Sequence, residues 1–263
     1  MGAAVDATVR REWLEFAKGL AVEAGRITLK YFRRDFAIEY KSDATPVTIA
    51  DRETEAFLRT SLAQRFPQHG ILGEEQGETN PGAEWRWVLD PIDGTQSFIH
   101  GVPLYTTLIA LQAGGKSVLG IIHCPPLEET VAAAVGCGCT FNGRPTQVTA
   151  VNKLSQARVN ATDYADFMRR TPRFARALLD EAKMCRGWAD GYGYLLVASG
   201  RAEVALDPVV ALWDYAPLKP IIEEAGGRCT DFHGRPELPV DSFLASNGRV
   251  HDRLLELARL DFS

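Results

Sequence analysis

The stretch WVLDPIDGTQSF, Trp87 to Phe98, sets an apolar run against two aspartates, Asp90 and Asp93, placed around a Pro-Ile pair. Large and β-branched apolar residues in such a run predict a buried strand, and Asp, Pro and Gly directly after it predict a sharp turn. Taken alone, the segment is open to a plain reading as a loop between two elements. Two anions at the end of a buried strand still need a reason, because like charges drawn out of water repel unless a cation joins them.

The flanking segments predict a layered chain. REWLEFAKGLAVEAGRITLKYF places Trp13, Leu14, Ala17, Leu20, Ala21, Ala24 and Ile27 near helical period, which predicts an opening core helix. A polar stretch leads into a second amphipathic helix over about Ala50 to Phe66, stopped by Pro67, with Asp51 near its first turn. Ile71-Leu72 reads as a short strand running into Gly73, Glu74 and Glu75. WRWVLD, YTTLIALQ and SVLGIIHCP read as buried strands, with Gly114-Gly115 as a hairpin turn between the last two. Helical patterning returns from Thr171 to Lys183, from about Gly191 to Ser199 before a further strand, and from Leu212 to Ala225 as one helix despite Pro217 and Pro220. The alternation of helix and strand blocks predicts an α/β (α+β) architecture, and the lack of an internal repeat excludes a solenoid or propeller.

At 263 residues the chain reads as one domain with a sizeable core. A net charge of −5 with scattered Lys and Arg gives no footprint for nucleic acid. MGAAVDATVRREW lacks the apolar core of a signal peptide and no segment approaches the roughly 18 apolar residues of a membrane span, so a cytoplasmic protein without membrane partners is expected. The five cysteines have no disulfide-framework spacing, and Cys137-Gly-Cys139 with His123 falls short of a zinc ligand set.

The acids at element ends carry the chemistry: Asp51 at a helix start, Glu74 after one strand, Asp90 and Asp93 after the next, and Asp214 at another helix start. Carboxylates at strand ends converge on one rim of a sheet, and oxygen ligands of this kind suit magnesium, which keeps several waters and pairs readily with substrate phosphate. In DPIDG the proline fixes the turn and leaves the Ile92 carbonyl as a further oxygen ligand. Gly94 allows close backbone approach, and Thr95 opens TQSFIHG, a helix start of the kind that favours phosphate. His100 in the same segment reads as a structural residue, since metal-activated water needs no histidine.

With GEE at Gly73 to Glu75, DPIDGT at Asp90 to Thr95, and WDYAP followed by EAGG between Trp213 and Gly227, the chain resembles the inositol monophosphatase superfamily of metal-dependent, lithium-sensitive sugar and alcohol phosphatases over nearly its whole length. The resemblance implies a layered α-β-α-β-α sandwich of the inositol monophosphatase/fructose bisphosphatase type. It implies a single phosphatase domain over 1–263, with most metal ligands in a half of about 1–148 and substrate recognition in a half of about 149–263. It further implies two or three magnesium ions held by Glu74, Asp90, the Ile92 carbonyl, Asp93 and Asp214. Asp51, Glu74 and Thr95 then serve catalysis, with Asp51 and Thr95 orienting the attacking water, and a homodimer is expected. Lys41 and Glu75 match positions near a further, weaker metal site, although Lys41 equally reads as a solvated loop charge.

Substrate contacts expected from the resemblance are Asp93, Gly94, Thr95, Asp190 and Asp207. Within the superfamily, RGWADGYGYLLVASGRAEVALDP and TQSFIHGVPLYTTLIAL resemble the histidinol-phosphatase branch, with Ala189 as a departure. Histidinol phosphate carries an ammonium and an imidazole, which call for carboxylates and aromatic faces, and Asp190, Asp207, Trp188 and Tyr192 fit that need. Asp190 also reads as a turn residue and Trp188 as a packed aromatic. An inositol or other sugar phosphatase would keep the metal residues and differ in the pocket. A non-catalytic phosphate-binding regulatory protein would be expected to have lost a ligand, and none is missing.

Overall fold

The computed structural model describes residues 6–40, 46–188, 190–237 and 239–262. Helix α1 (Ala7–Tyr31) buries Leu14, Ala17, Leu20, Ala21 and Ala24 along one stripe, and three alanines on that stripe let a neighbour approach closely. Ile27 is only partly buried, and Thr28 takes the inward position instead, sharing a 2.8 Å hydrogen bond with the Tyr105 hydroxyl. A ribbon of β1 (Ile38–Tyr40) and β2 (Pro46–Thr48) delivers the chain into α2 (Ile49–Arg65), which lies against α1.

Among the described residues the first sheet has eight strands: β3 (Gly70–Gly73), β4 (Gly77–Thr79), β5 (Trp85–Asp93), β6 (Thr106–Ala113), β7 (Lys116–Cys124), β8 (Glu129–Ala134), β9 (Gly138–Phe141) and β10 (Arg144–Pro145). Their spatial order is β10-β9-β8-β7-β6-β5-β3-β4, with β3 and β5 parallel and every other pair antiparallel. Gly114-Gly115 forms the β6–β7 turn, as its sequence implies. The period-2 rule assigns each strand two cores: Leu119 and Ile121 of β7 pack under α1 and α2, while Ile122 and Cys124 face the other way. Trp87 and Leu89 of β5 join the first core, each such burial contributing roughly 1.5–3 kcal/mol.

After the short helix α3 (Thr95–Ile99) in the β5–β6 connection, the further α-helices among the described residues are α4 (Tyr164–Arg170), α5 (Pro172–Glu181), α6 (Gly191–Ala198), α7 (Leu212–Tyr215), α8 (Leu218–Glu224) and α9 (His251–Phe262). A second sheet has β11 (Arg158–Ala161), β12 (Met184–Arg186), β13 (Val204–Asp207), β14 (Arg228–Thr230) and β15 (Phe243–Ser246), ordered β12-β11-β13-β15-β14. Helix α6, apolar all round and buried at every residue, lies with α8 between the two sheets. Helices α5 and α9 cover the far face of the second sheet, where Val204 and Leu206 of β13 pack. The layers are therefore α-β-α-β-α, as the resemblance implies.

Two expected helices are revised. Leu212 to Ala225 forms two helices rather than one, because Pro217 and Pro220 have no N–H to donate to the preceding turn. The Thr171–Lys183 helix spans Pro172–Glu181, follows a separate helix, α4, and gives way to strand β12.

Candidate active site

The carboxyl ends of β3, β5 and β13 open onto a cavity of about 560 Å³ between the sheets. Its wall includes Glu74, Asp90, Ile92, Asp93, Gly94, Thr95, Asp190, Asp207 and Asp214, so nine of the expected site residues meet in one place. Side-chain alternation explains part of this: Leu72 and Val88 pack against α7, and Glu74 and Asp90 lie two residues further along the same face.

Asp93 needs a further device, since three residues along a regular strand it would point away from Asp90. The β5–β6 register slips between Asp90 (opposite Leu108) and Asp93 (opposite Thr106), a bulge at Pro91-Ile92 that turns both carboxylates to one side. Thr107 Oγ1 pins that bulge by donating to the Pro91 carbonyl at 2.9 Å. Gly94 then takes a left-handed conformation, φ 82°, as the N-cap of α3, and any Cβ there would meet the Asp190 carboxylate. Thr95 Oγ1 donates to the Ile92 carbonyl at 3.1 Å, which commits its one proton and leaves the hydroxyl oxygen an acceptor.

Oxygens of Asp90, Asp93 and Asp214 all lie within 4.8 Å of one another. Asp214 is aimed from the first turn of α7, where its Oδ2 accepts the Ala211 N–H at 2.7 Å. Asp90 Oδ1 is buried with no hydrogen-bond partner, an arrangement that costs about 1–3 kcal/mol or more for a charged group unless something else satisfies it. Burial, followed by Glu74, Asp93 and Asp214, pushes the Asp90 carboxyl well above the ordinary range. Burial and then Asp93 push Asp214 up to about 8, and burial pushes Asp93 to about 6 against the lowering pull of Thr106 and Gly191. A cluster of all-oxygen donors that resists carrying its own charge fits a hard divalent cation.

Asp207 accepts the Thr162 N–H at 3.0 Å and the Tyr194 hydroxyl at 2.7 Å, and burial raises it to about 6. Asp190 has its N–H on Thr162 Oγ1 at 3.1 Å, and burial, then Asp93, Asp207 and Asp214, raise its carboxyl strongly. The remaining expected residues are placed elsewhere. Asp51 is 1% exposed at the third position of α2, where its Oδ2 accepts the Thr48 N–H and hydroxyl at 2.8 and 2.6 Å; burial lifts it to about 6, and it stands behind the cavity wall. Tyr192 packs in the inter-sheet core beneath the Arg201 guanidinium, and Trp188, 42% exposed, does not line the cavity. Glu75 is also outside the wall, its N–H engaged with Glu55, while Lys41 and Ala189 lie outside the described residues.

Sequence reasoning missed several contributors. Thr106 Oγ1 and the Gly191 N–H both donate to Asp93 Oδ2, each at 2.6 Å, and Thr162, Asp163, Val209 and Val210 also line the cavity. Sheet register brings Thr106 to Asp93 and the docking of α6 brings Gly191, although the threonine pair opening the YTTLIALQ strand offered a weak polar signal at a strand start.

The inositol monophosphatase family profile matches residues 9–260. The histidinol-phosphatase of Chlorobaculum parvum is 46% identical over 228 residues, covering 86% of this chain and 88% of its own. The histidinol-phosphatase of Mycobacterium tuberculosis is 36% identical, covering 92% and 96%. Among solved structures, the Thermotoga maritima IMPase superposes with a TM-score of 0.88 at 28% identity, covering 95% of this chain and 98% of that one. With a matching profile over almost the whole length and an acidic cluster at its expected place, the chain belongs to the inositol monophosphatase family of metal-dependent phosphatases.

Proposed function

We propose that the protein hydrolyses L-histidinol phosphate to L-histidinol and phosphate, with magnesium held by Glu74, Asp90, the Ile92 carbonyl, Asp93 and Asp214. The observation that carries the choice of substrate is Asp190: a further carboxylate on the cavity wall, outside the three-acid cluster but next to Asp93, in an environment that penalises its charge. A substrate with a cationic head relieves that penalty, whereas a polyol offers only hydroxyls. Relatives named histidinol-phosphatase, 35–46% identical, support the same reading.

Magnesium, when bound, supplies an activated water and neutralises charge on the phosphoryl oxygens. The chain's own groups do the rest. Thr95 Oγ1, its proton committed to Ile92, accepts a hydrogen bond from the attacking water and so orients it. Asp51, buried behind the cavity wall with its carboxyl raised to about 6, has the part of proton acceptor in this reading. Gly94 and Thr95, at the mouth of α3, leave backbone N–H groups for the phosphate, and Asp190 with Asp207 forms the wall toward the alcohol. The reading carries with it two or three magnesium ions per site, a cytoplasmic homodimer and a role in histidine biosynthesis.

The test is phosphate release from histidinol phosphate, inositol 1-phosphate and fructose 1,6-bisphosphate in parallel, with magnesium and with excess chelator. Preference for histidinol phosphate is expected. Preference for inositol 1-phosphate would favour the polyol reading, to which a Thermotoga maritima fructose-1,6-bisphosphatase/inositol-1-monophosphatase at 30% identity gives some support. Loss of all activity toward every ester would point to a non-catalytic phosphate-binding role.

A further inference from the structure

Helix α2 carries a second acid one turn after Asp51. Glu55 is 0% exposed, and a carboxylate so deeply buried persists only with a full set of donors. Its oxygens accept the N–H groups of Glu75 at 2.7 Å and Gln76 at 3.0 Å, together with Arg59 Nε at 2.7 Å. The same guanidinium reaches on to the Gly77 carbonyl. One buried ion pair therefore ties α2 to the whole β3–β4 loop, the loop that carries Glu74. Gly73 is the point of closest approach: a Cβ there would overlap the Glu55 carboxylate, so the glycine is required by space.

We propose that Glu55 is a positioning residue of the metal site, setting the spacing between Asp51 on its own helix and Glu74 on the loop. The inference rests on the metal-dependent phosphatase reading above. Glu74 is held on its sheet side by its N–H bond to the Leu89 carbonyl at 3.2 Å, and the next two residues are held from the opposite side by Glu55. Removing that second anchor lets the loop turn about the glycine before it, and Glu74 leaves the common rim with Asp90. A carboxylate is needed because three donors converge on it; glutamine would set an amide NH₂ against at least one of them.

The test is calorimetric titration of the full-length protein with magnesium, alongside steady-state kinetics. Glu55→Gln should weaken magnesium binding at least tenfold and lower turnover at limiting magnesium, with much of the loss recovered at high magnesium and KM for the phosphate ester changed less than twofold. A lower Tm with unchanged magnesium affinity overturns the proposal, since that is the mark of a residue that only supports the fold. Gly73→Ala supplies an independent arm should Glu55→Gln fold poorly: it should weaken magnesium binding alone, but add less than threefold when introduced into Glu55→Ala, where the overlap is gone. Full multiplication of the two effects overturns the proposal. A wild-type protein that binds no magnesium overturns the metal reading and this inference together, whereas normal wild-type binding with unaffected variants overturns this inference alone.

Discussion

The Gly191 amide donates to Asp93 Oδ2 at 2.6 Å across 98 residues of chain, and the Thr106 hydroxyl donates to the same oxygen at 2.6 Å. Two donors occupy Oδ2 and fix the carboxylate plane, so Oδ1 is the oxygen left for a cation. Asp93→Asn keeps the shape and can retain both bonds through its carbonyl oxygen, yet removes one negative charge. The variant should stay folded and lose at least about a hundredfold in kcat/KM, about 2.7 kcal/mol of transition-state stabilisation. Near-normal kinetics with an unchanged melt would take Asp93 out of the site.

Thr106→Val isolates the missed partner. It removes one charge-assisted hydrogen bond, about 1.5–3 kcal/mol, while nearly conserving volume in a fully buried position. Turnover should fall roughly tenfold to a hundredfold with little change in KM, because the bond orients a ligand rather than the substrate. Kinetics at saturating magnesium, with circular dichroism as the folding control, decide the point.

Proton competition gives the site a pH signature. Burial raises Asp214 to about 8 and Asp93 to about 6. Between the ordinary carboxylate value near 4 and these raised values, the metal-free folded state binds more protons than the unfolded chain; its stability is greatest at low pH and falls as pH rises through that window. Magnesium binding must displace those protons, so the magnesium-induced rise in Tm should grow from about pH 5.5 to about pH 8.5, with proton release on binding. Buried His123 and His251, both lowered to about 4, shift stability alike with and without metal and cancel in the difference. A Tm difference independent of pH would show that these carboxyls do not meet the ion.

The histidinol phosphate reading makes Asp190 the residue that sets specificity. Asp190→Asn should weaken use of histidinol phosphate by roughly 1.5–3 kcal/mol in kcat/KM while glycerol 2-phosphate, with no cationic head, changes much less. Equal losses on both esters would make Asp190 a structural residue of the loop before α6.

Gly94→Ala tests the left-handed turn between the metal ligands and the phosphate side. At φ 82°, with the Asp190 carboxylate in the way, the added methyl should destabilise the fold by about 1–3 kcal/mol and disturb both substrates together. Chemical denaturation measures the first effect, and the two-ester comparison separates it from that of Asp190→Asn.

What could be read from the chain was what depends on neighbours in sequence. The strand runs are local and lie where the pattern put them, but β5 continues through DPID to Asp93, so Asp90 sits inside the strand rather than in a turn after it. The β5 bulge is different: proline hints at it, but only the register against Thr106 and Leu108 explains why Asp90 and Asp93 face one way. Glu55 carries no mark in the sequence that sets it apart from the other acids of α2, and its burial follows from a loop 20 residues on. Tyr192 is the converse case, an aromatic two residues after an acid that α6 turns into the core. The split at Pro217 was legible in principle, since the apolar period on both sides outweighed a missing N–H in the reading of Leu212 to Ala225.

Asp214 stands on a helix of four residues, too short to hold its own shape, which is kept in place by packing against β5 and β6. Asp90 and Asp93, by contrast, belong to a central strand paired on both sides. The ligand set is thus split between a part that forms with the sheet and a part that arrives only when α7 docks. A metal held across both parts would tie α7 to the sheet, so its removal is expected to show first as faster amide exchange in α7.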